Sequence, residues 1–240
     1  MSNSPLVSYT KISPNRTSPR NHEIDTISIH CAVGQFTAKE ILNLSSFTKA
    51  DSKNGSSCNY AIGFDGTIGM GVEEKDRSWC TSSRSNDNRA ITIEVAAETK
   101  HPYKITKKAY AALIELLVDV CKRNDIKELK WKANRNLIGR PDKQNMTVHR
   151  WFANKACPGD YLYKRHGQIA SEVNAKLTGV PYKVKIDITD LNIRKGPGTN
   201  YAKTGKHTGK GVFTIIKEQN GWGKLKSGLG WISLKYTTKL

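Results

Sequence analysis

Alternating apolar and polar residues in the first part of the chain predict four β-strands, over residues 26–31, 59–64, 67–72 and 90–96. The dipeptide Asp65-Gly66 predicts a tight turn between the second and third of them. Apolar residues at helical spacing predict one helix that opens with the capping-box pattern Thr37-x-x-Glu40 and a longer helix after Thr106. Strands mixed with helices predict an α/β domain.

The pattern changes near residue 179. A stretch with helical spacing, residues 160–177, ends at Thr178-Gly179. Beyond it come short segments rich in β-forming residues, separated by turn sequences such as Asn220-Gly221, and these predict a small all-β barrel. We therefore predict a first domain over residues 1–178, a linker over 179–182 and a second domain over 183–240.

Charge distinguishes the two predicted domains further. The 240 residues include 39 Lys and Arg against 21 Asp and Glu, a formal net charge of +18. Residues 180–240 hold 12 Lys and Arg against 3 Asp and Glu, so a quarter of the chain carries +9, half of that charge. A surface this basic binds polyanions, either nucleic acid, an anionic membrane or an anionic cell wall. No stacking-aromatic motif or nucleic-acid fold signature accompanies the charge, so we expect no nucleic-acid partner.

Hydropathy and cysteine content narrow the class of protein to which this chain can belong. No run approaches the roughly 18 apolar residues of a membrane-spanning helix, and the polar beginning of the chain has no secretory signal pattern. We therefore expect no membrane span and synthesis in the cytoplasm. The five scattered cysteines cannot all pair with one another, so at least one thiol is free or bound to a metal.

Three side chains suit a metal. His30 ends the first predicted strand on its polar face, and His149 precedes Cys157, which is followed by Pro158-Gly159. Two imidazoles and a thiol suit a catalytic Zn²⁺, which keeps a fourth position open for water. The alternative is two ordinary histidines and a buried thiol, because His30 lies more than a hundred residues from the other two.

Three more residues are candidates for proton transfer or charge stabilisation. Lys155, close to Cys157, could stabilise an oxyanion or be an ordinary surface lysine. Glu94 lies in mid-strand opposite the apolar face, as a general base or on an exposed sheet face. Tyr60 shares its face with apolar residues, which predicts a core position, although its hydroxyl could reach a site at the strand end.

These motifs resemble the zinc-dependent N-acetylmuramoyl-L-alanine amidases of the type 2 family, a fold shared by phage lysozyme-amidases and peptidoglycan recognition proteins. The matching strings within residues 22–177 are His149-x5-Lys155-x-Cys157-Pro158-Gly159, Ile27-Ser28-Ile29-His30-Cys31 and Ala90-Ile91-Thr92-Ile93-Glu94-Val95. The resemblance implies a mixed central β-sheet flanked by helices. It implies His30, His149 and Cys157 as ligands of one catalytic Zn²⁺, Lys155 as oxyanion stabiliser, and Glu94 and Tyr60 as acid/base candidates. One departure is Trp79-Cys80, where many members have Trp-His, so a substrate-site histidine is replaced.

The second domain resembles the bacterial SH3-type cell-wall-binding domains. The matching strings are 191–201, LNIRKGPGTNY, then 221–225, GWGKL, and 230–232, GWI. Tyr201, Trp222 and Trp231 could be core residues or a stacking surface for a glycan or peptide. We favour the core for the two tryptophans, because so small a domain needs large apolar anchors.

Together the resemblances imply hydrolysis of the amide between N-acetylmuramic acid and L-alanine of peptidoglycan by zinc-activated water. The basic domain would bind the wall, with peptidoglycan and teichoic acid as candidate partners. A phage or prophage endolysin that reaches the wall after release is implied, with a secreted autolysin as the alternative.

Two other functions remain open. A non-catalytic peptidoglycan-binding protein is disfavoured by the retained ligand set. A cysteine peptidase with Cys157 as nucleophile is disfavoured because the Pro158-Gly159 turn is not expected to put the thiol at a helix N-terminus, where its pKa would fall.

Overall fold

The computed structural model describes residues 2–179 and 181–240, and its chain divides into two compact units, Met1–Val173 and Asn174–Leu240. The division falls within the last helix of the first unit, a few residues before the predicted linker. That linker, 179–182, includes Val180, which lies outside the described residues. The domain bounds 1–178 and 183–240 therefore stay predictions. No helix among the described residues is both long and apolar enough to cross a membrane.

The first unit is built on a mixed six-stranded sheet, which confirms the α/β prediction. The strands are β1 (Tyr9–Thr10), β2 (Arg16–Thr17), β3 (Thr26–Val33), β4 (Tyr60–Ile62), β5 (Ile68–Met70), β6 (Arg77–Ser78), β7 (Ala90–Ala97) and β8 (Met146–Thr147). Their order is β1-β5-β4-β7-β3-β8, with β2 and β6 paired separately. The predicted hairpin is β4 and β5, whereas β7 pairs in parallel with both β4 and β3.

Helices cover this sheet. They are α1 (Ala38–Leu42), α2 (Ser45–Thr48), α3 (Arg84–Arg89), α4 (Lys107–Arg123) and α5 (Gly159–Leu177), with 3₁₀ turns η1 (Arg135–Leu137) and η2 (His149–Trp151). The predicted capping box is present, since Thr37 accepts from the amide of Glu40 and Glu40 accepts from the amide of Thr37. Thr106 caps α4, whose apolar face is buried. The sequence did not predict the short α2 and α3.

The two central strands, β3 and β7, are buried on both faces. Ile27 and Ile29 are fully buried, and so are the alternating polar residues Ser28 and His30. Central parallel strands are covered on both faces of the sheet. Alternation in their sequence therefore separates an apolar buried face from a polar buried face, rather than a buried face from a solvent-exposed one. One of these buried polar faces leads to the candidate site.

The second unit is an all-β sheet, as predicted. Its strands are β9 (Tyr182–Ile186), β10 (Asn192–Arg194), β11 (Lys203–His207), β12 (Gly211–Gln219), β13 (Trp222–Leu225), β14 (Trp231–Ser233) and β15 (Thr238–Lys239), with the 3₁₀ turn η3 (Leu234–Tyr236). The order is β11-β10-β14-β13-β12-β9-β15, and every pair is antiparallel. Aliphatic residues form its core: Val184, Ile186, Leu191, Ile193, Ile215, Leu225 and Ile232.

The two tryptophans of this unit lie outside that aliphatic cluster. Trp231 is buried, as expected, but Trp222 is only half-buried. Gly223 and Leu225 face the cluster, so alternation along β13 turns Trp222 to the opposite face. The core position predicted for Trp222 is therefore wrong.

Candidate metal centre and active-site cleft

The carboxyl ends of the central parallel strands bring the candidate ligands together. His30 lies near the end of β3, and β8, the parallel neighbour of β3, leads directly into η2, which carries His149. Donor atoms of His30, His149 and Cys157 all lie within 4.8 Å of one another. The Sγ atom of Cys157 is 3.4 Å from Nδ1 of His30. The structure thus gathers three side chains that the sequence scatters over more than a hundred residues.

A serine hydroxyl contacts the far nitrogen of each histidine. Ser28 Oγ lies 3.1 Å from Nε2 of His30, and Ser82 Oγ lies 3.0 Å from Nε2 of His149. Ser28 Oγ also donates to the carbonyl of Thr147 at 3.4 Å, so it accepts from His30 Nε2–H. This arrangement leaves the Nδ1 lone pair of His30 directed at the cluster, which is what a metal requires.

The electrostatic surroundings hold both imidazoles neutral. Burial, and then the neighbouring His149, lower the pKa of His30 well below its usual value. Burial and the nearby Lys155 ammonium lower the pKa of His149. Neutral imidazole is the form that binds a metal.

Without a cation to compensate the charge of its thiolate form, the Cys157 side chain stays a protonated thiol. Contact with the thiol of Cys31, and then burial, raise the pKa of Cys157 well above its usual value. The backbone N–H of Cys31 donates to its sulfur at 3.4 Å. A divalent cation would act against burial by favouring the thiolate. Two neutral imidazoles and one thiol with donor atoms within 4.8 Å of one another therefore fit the donor set of a catalytic Zn²⁺, which keeps a fourth position for water.

Helix α5 begins at Gly159, two residues after Cys157. The premise that the Pro158-Gly159 turn keeps this thiol away from a helix N-terminus is therefore wrong. The thiol is nevertheless not activated as a nucleophile, because its neighbours and its burial raise its pKa rather than lower it.

Glu94 lies beside the ligands, in direct register with His30 on the adjacent strand. Its Oε1 is 3.8 Å from Nδ1 of His30 and 3.8 Å from the Cys80 thiol, while its buried Oε2 has no hydrogen-bond partner among the described residues. Its side chain is 16% exposed, and burial raises its pKa to about 7. A carboxylate with this pKa can both take and return a proton near neutral pH.

Glu94 and His149 line a cleft of about 630 Å³. Lys155 is exposed and lines the same cleft, so the structure brings it to the site. One wall comes from residues 47–56 and the other from residues 77–87. Asn15 anchors the first wall, since its side-chain amide donates to the carbonyls of Ser46 at 2.8 Å and Lys49 at 2.9 Å.

Tyr60 does not reach this cleft. Its register partner on β7 is Ile93, whereas Glu94 pairs with Ala61, so Tyr60 lies on the opposite face of the sheet. Its hydroxyl donates to Glu74 at 2.5 Å and accepts from the amide of Ser4 at 2.9 Å. The expected acid/base role is therefore wrong, and the core position that the strand pattern predicts is observed.

Arg77 is a cleft residue that sequence reasoning missed. It is only 9% exposed, lines the cleft, and has an Nε atom without a partner among the described residues. Its guanidinium lies 5.9 Å from the centre of the Trp79 ring. The two-residue strand β6 is too short to produce a periodic pattern, and a single arginine in so basic a chain is not a signal by itself.

Comparison with known proteins adds family membership to this geometry. Residues 20–160 match the family model described as N-acetylmuramoyl-L-alanine amidase, and residues 189–238 match the model of the bacterial SH3 domain. No curated protein sequence gives a significant match.

Several solved structures are similar to this chain at low sequence identity. A selenomethionine AmpD derivative is 18% identical over 71% of this chain and 99% of its own, with a TM-score of 0.51. The endolysin N-acetylmuramoyl-L-alanine amidase LysCS from Clostridium intestinale URNW is 19% identical over 74% of this chain and 99% of its own, with a TM-score of 0.44. The Drosophila peptidoglycan recognition protein SD is 18% identical over 66% of this chain and 88% of its own, with a TM-score of 0.49.

The amidase match covers more than half of the 240 residues, and the SH3 match lies within the second unit. The chain is therefore a member of the N-acetylmuramoyl-L-alanine amidase family, an amide hydrolase with a bacterial SH3 domain at its carboxyl side.

Proposed function

We propose that this protein is an endolysin-type enzyme that hydrolyses the amide between N-acetylmuramic acid and L-alanine in peptidoglycan. The observation that carries the proposal is the convergence of His30, His149 and Cys157 beside Glu94 at a cleft. Family membership supports it. These three side chains would hold one Zn²⁺, which supplies Lewis-acid activation of water and of the scissile carbonyl.

Glu94 handles the proton in this proposal. Its carboxylate, which lines the cleft, accepts the proton of the attacking water. The same carboxyl group then returns the proton to the departing amine of L-alanine, so that the acid and base roles belong to one residue. Burial assists both steps, because a pKa of about 7 leaves the group poised between its two forms.

Cationic side chains of the cleft stabilise negative charge. The Lys155 ammonium faces the oxyanion that forms when water attacks the carbonyl. Arg77, whose guanidinium lines the cleft, suits a carboxylate of the stem peptide. The basic SH3 domain holds the enzyme on the anionic wall and raises the local concentration of substrate.

The test is digestion of purified Gram-positive peptidoglycan by the full chain, with and without a chelator. New N-terminal alanine without new reducing sugar, abolished by the chelator and restored by Zn²⁺, is the expected result. Chelator-resistant cleavage within the stem peptide would instead identify a cysteine peptidase. Wall binding without cleavage would identify a recognition protein.

A further inference from the structure

The second unit carries a line of cations across its sheet. Register partners run from strand to strand over β11, β10, β14, β13 and β12. In order they are Lys203, Arg194, Trp231, Lys224 and Lys217, and we call these five residues the cationic row. Neighbouring strands lie about 4.8 Å apart, so the row extends over about 19 Å.

The cationic row lies on the outer face of the sheet. Register partners point to the same face, and residues adjacent along a strand point to opposite faces. The chain neighbours Ile193, Leu225 and Ile232 all belong to the aliphatic core, so the row faces away from it. Lys203 and Lys217 are exposed, and the other two cations are half-buried.

None of the acidic residues described in this unit neutralises the row. The unit holds three acids, of which Asp187 pairs with Lys185 at 3.0 Å and Glu218 accepts from the Tyr182 hydroxyl at 2.6 Å. The third is Asp190, in the loop before β10. Within the described part of the unit, none of the row's four cations forms an ion pair. Like charges directly opposite each other destabilise a sheet, so folding alone does not favour this arrangement.

Arg194, near the middle of the row, is held in place. Its Nη1 donates to the carbonyls of Thr199 at 3.0 Å and Tyr201 at 2.7 Å, and its guanidinium lies 5.9 Å from the centre of the Trp222 ring. A guanidinium fixed in this way loses little conformational freedom on binding. Its remaining N–H groups suit phosphate oxygens.

We propose that the cationic row is the docking surface for a linear, phosphate-bearing polyanion of the bacterial wall. A line of charges one or two strand spacings apart matches repeated charges along a polymer better than it matches a single anion. A neutral glycan or peptide bridge would gain little from the row itself, because Trp231, its one aromatic residue, is only 8% exposed and the half-buried Trp222 ring beside it is approached by the Arg194 guanidinium at 5.9 Å. This inference rests on the proposed function, since it names what the wall-binding domain holds.

The test compares two triple variants of the full chain with equal change in net charge. Lys203→Gln/Lys217→Gln/Lys224→Gln removes three lysines of the row, and Lys206→Gln/Lys210→Gln/Lys235→Gln removes three exposed lysines outside it. Binding is measured on Gram-positive walls before and after acid removal of the phosphate polymer, with soluble poly(glycerol phosphate) as competitor. We expect about tenfold weaker binding for the row variant and less than about twofold weaker binding for the control. In the row variant, the slope of log affinity against log salt concentration should fall by the contribution of up to about three phosphate contacts.

Thermal unfolding midpoints and an all-arginine row variant, which keeps the charges, separate a binding defect from misfolding. Equal weakening by both triple variants would overturn the proposal, because net charge alone would then explain binding. If the protein binds walls without the phosphate polymer as tightly as intact walls, the proposal is overturned in favour of peptidoglycan as the ligand. If DNA competes as well as poly(glycerol phosphate), selectivity for a wall polymer is overturned. Hydrolysis of a small muropeptide is measured in parallel. If neither the unaltered protein nor any variant hydrolyses the muropeptide, the proposed function is refuted. The binding comparison between the two triple variants would still decide whether the cationic row binds the polymer.

Discussion

At the scale of single residues, a serine hydroxyl decides which nitrogen His30 offers. The chain of hydrogen bonds from His30 through Ser28 has one direction, because the Thr147 carbonyl at its end can only accept. His30 is thereby fixed with its proton on Nε2. His149 also contacts a serine hydroxyl, Ser82 Oγ at 3.0 Å from Nε2, but no second partner of that hydroxyl among the described residues sets the direction of the hydrogen bond.

Replacing Ser28 by alanine removes the hydrogen bond that keeps the His30 proton on Nε2. We expect Ser28→Ala to weaken Zn²⁺ binding by about 10- to 100-fold, as loss of a hydrogen-bond partner behind a ligand does. Competition with a chelating dye measures the affinity, and imidazole ¹⁵N shifts of the metal-free protein report the tautomer. The matched control is Ser78→Ala, since Ser78 is also buried in a strand but contacts Thr92 rather than a histidine. Equal Zn²⁺ affinities for the two variants would refute the positioning role of Ser28. Ser28→Thr keeps a hydroxyl and should retain the affinity of the unaltered protein.

Glu94→Gln tests proton transfer without changing shape. We expect hydrolysis of a small muropeptide to fall by about 10²- to 10⁴-fold while metal content stays at the level of the unaltered protein, because an amide cannot accept the proton. Glu98→Gln, at the exposed end of the same segment, is the control. A variant that loses its metal together with its activity would make Glu94 a ligand rather than a base.

The sequence predicted some of these residues better than others. Strand alternation and spacing made His30, His149 and Cys157 candidates but left ordinary histidines and a buried thiol open, and the resemblance to the amidases is what grouped them as one ligand set. The structure brings these three side chains together. Tyr60 shows why alternation is insufficient, since it fixes which residues share a face but not which of two buried faces meets the cleft. The partner of its hydroxyl, Glu74, comes from a loop without a periodic pattern.

At the scale of elements, long segments were predictable and short ones were not. The helix α4 and strands β3 and β7 are long enough to show their period, whereas β6 and β8 have two residues each. Yet β8 positions His149, and the loop after β6 forms a cleft wall. These short elements form because β3 and β2 offer unpaired edges to them, which only the three-dimensional fold reveals.

Helix α5 contains a buried histidine whose titration should affect stability. His166 is fully buried, its Nδ1 lies 2.8 Å from the Leu162 carbonyl, and its Nε2 has no partner among the described residues. Burial lowers its pKa to about 4 from a usual value near 6.5. The unfolded chain therefore binds more protons between these values, so His166 lowers stability as pH falls from about 6.5 to 4.

Chemical unfolding at several pH values measures this effect. We expect His166→Gln to reduce the loss of unfolding free energy across that window by up to about 1.4 kcal/mol per pH unit. His22→Gln, on the surface of the same unit, is the control for a histidine without burial. A pH profile unchanged in His166→Gln would mean that the buried imidazole is not the titrating group.

At the scale of the whole molecule, charge and chemistry are divided between the two units. The candidate metal ligands and Glu94 lie in the first unit, whereas half of the net charge lies in the last quarter of the chain. Composition alone predicted that division. The cationic row could not be predicted, because its strand register depends on irregularities in β10 and β12 that shift the pairing.

Removing residues 180–240 should separate wall binding from hydrolysis. We expect the shortened chain to bind walls more weakly, with the largest difference at low salt, where charges are least screened. Its hydrolysis of a small muropeptide should be unchanged. Sedimentation with walls and release of alanine measure the two properties, and equal loss of both would mean that the second unit is part of the catalytic unit.

The contact between Ser82 and His149 joins the cleft wall to the ligand set. Ser82 has a left-handed backbone conformation, with φ of 60°, within a turn tied down by Asp87, which accepts from the amide of Cys80 at 3.0 Å. Through this contact, occupancy of the cleft and occupancy of the candidate metal centre are linked in structure. Thermodynamic reciprocity then requires that any factor by which a ligand in the cleft changes the affinity for an ion equals the factor by which the ion changes the affinity for that ligand.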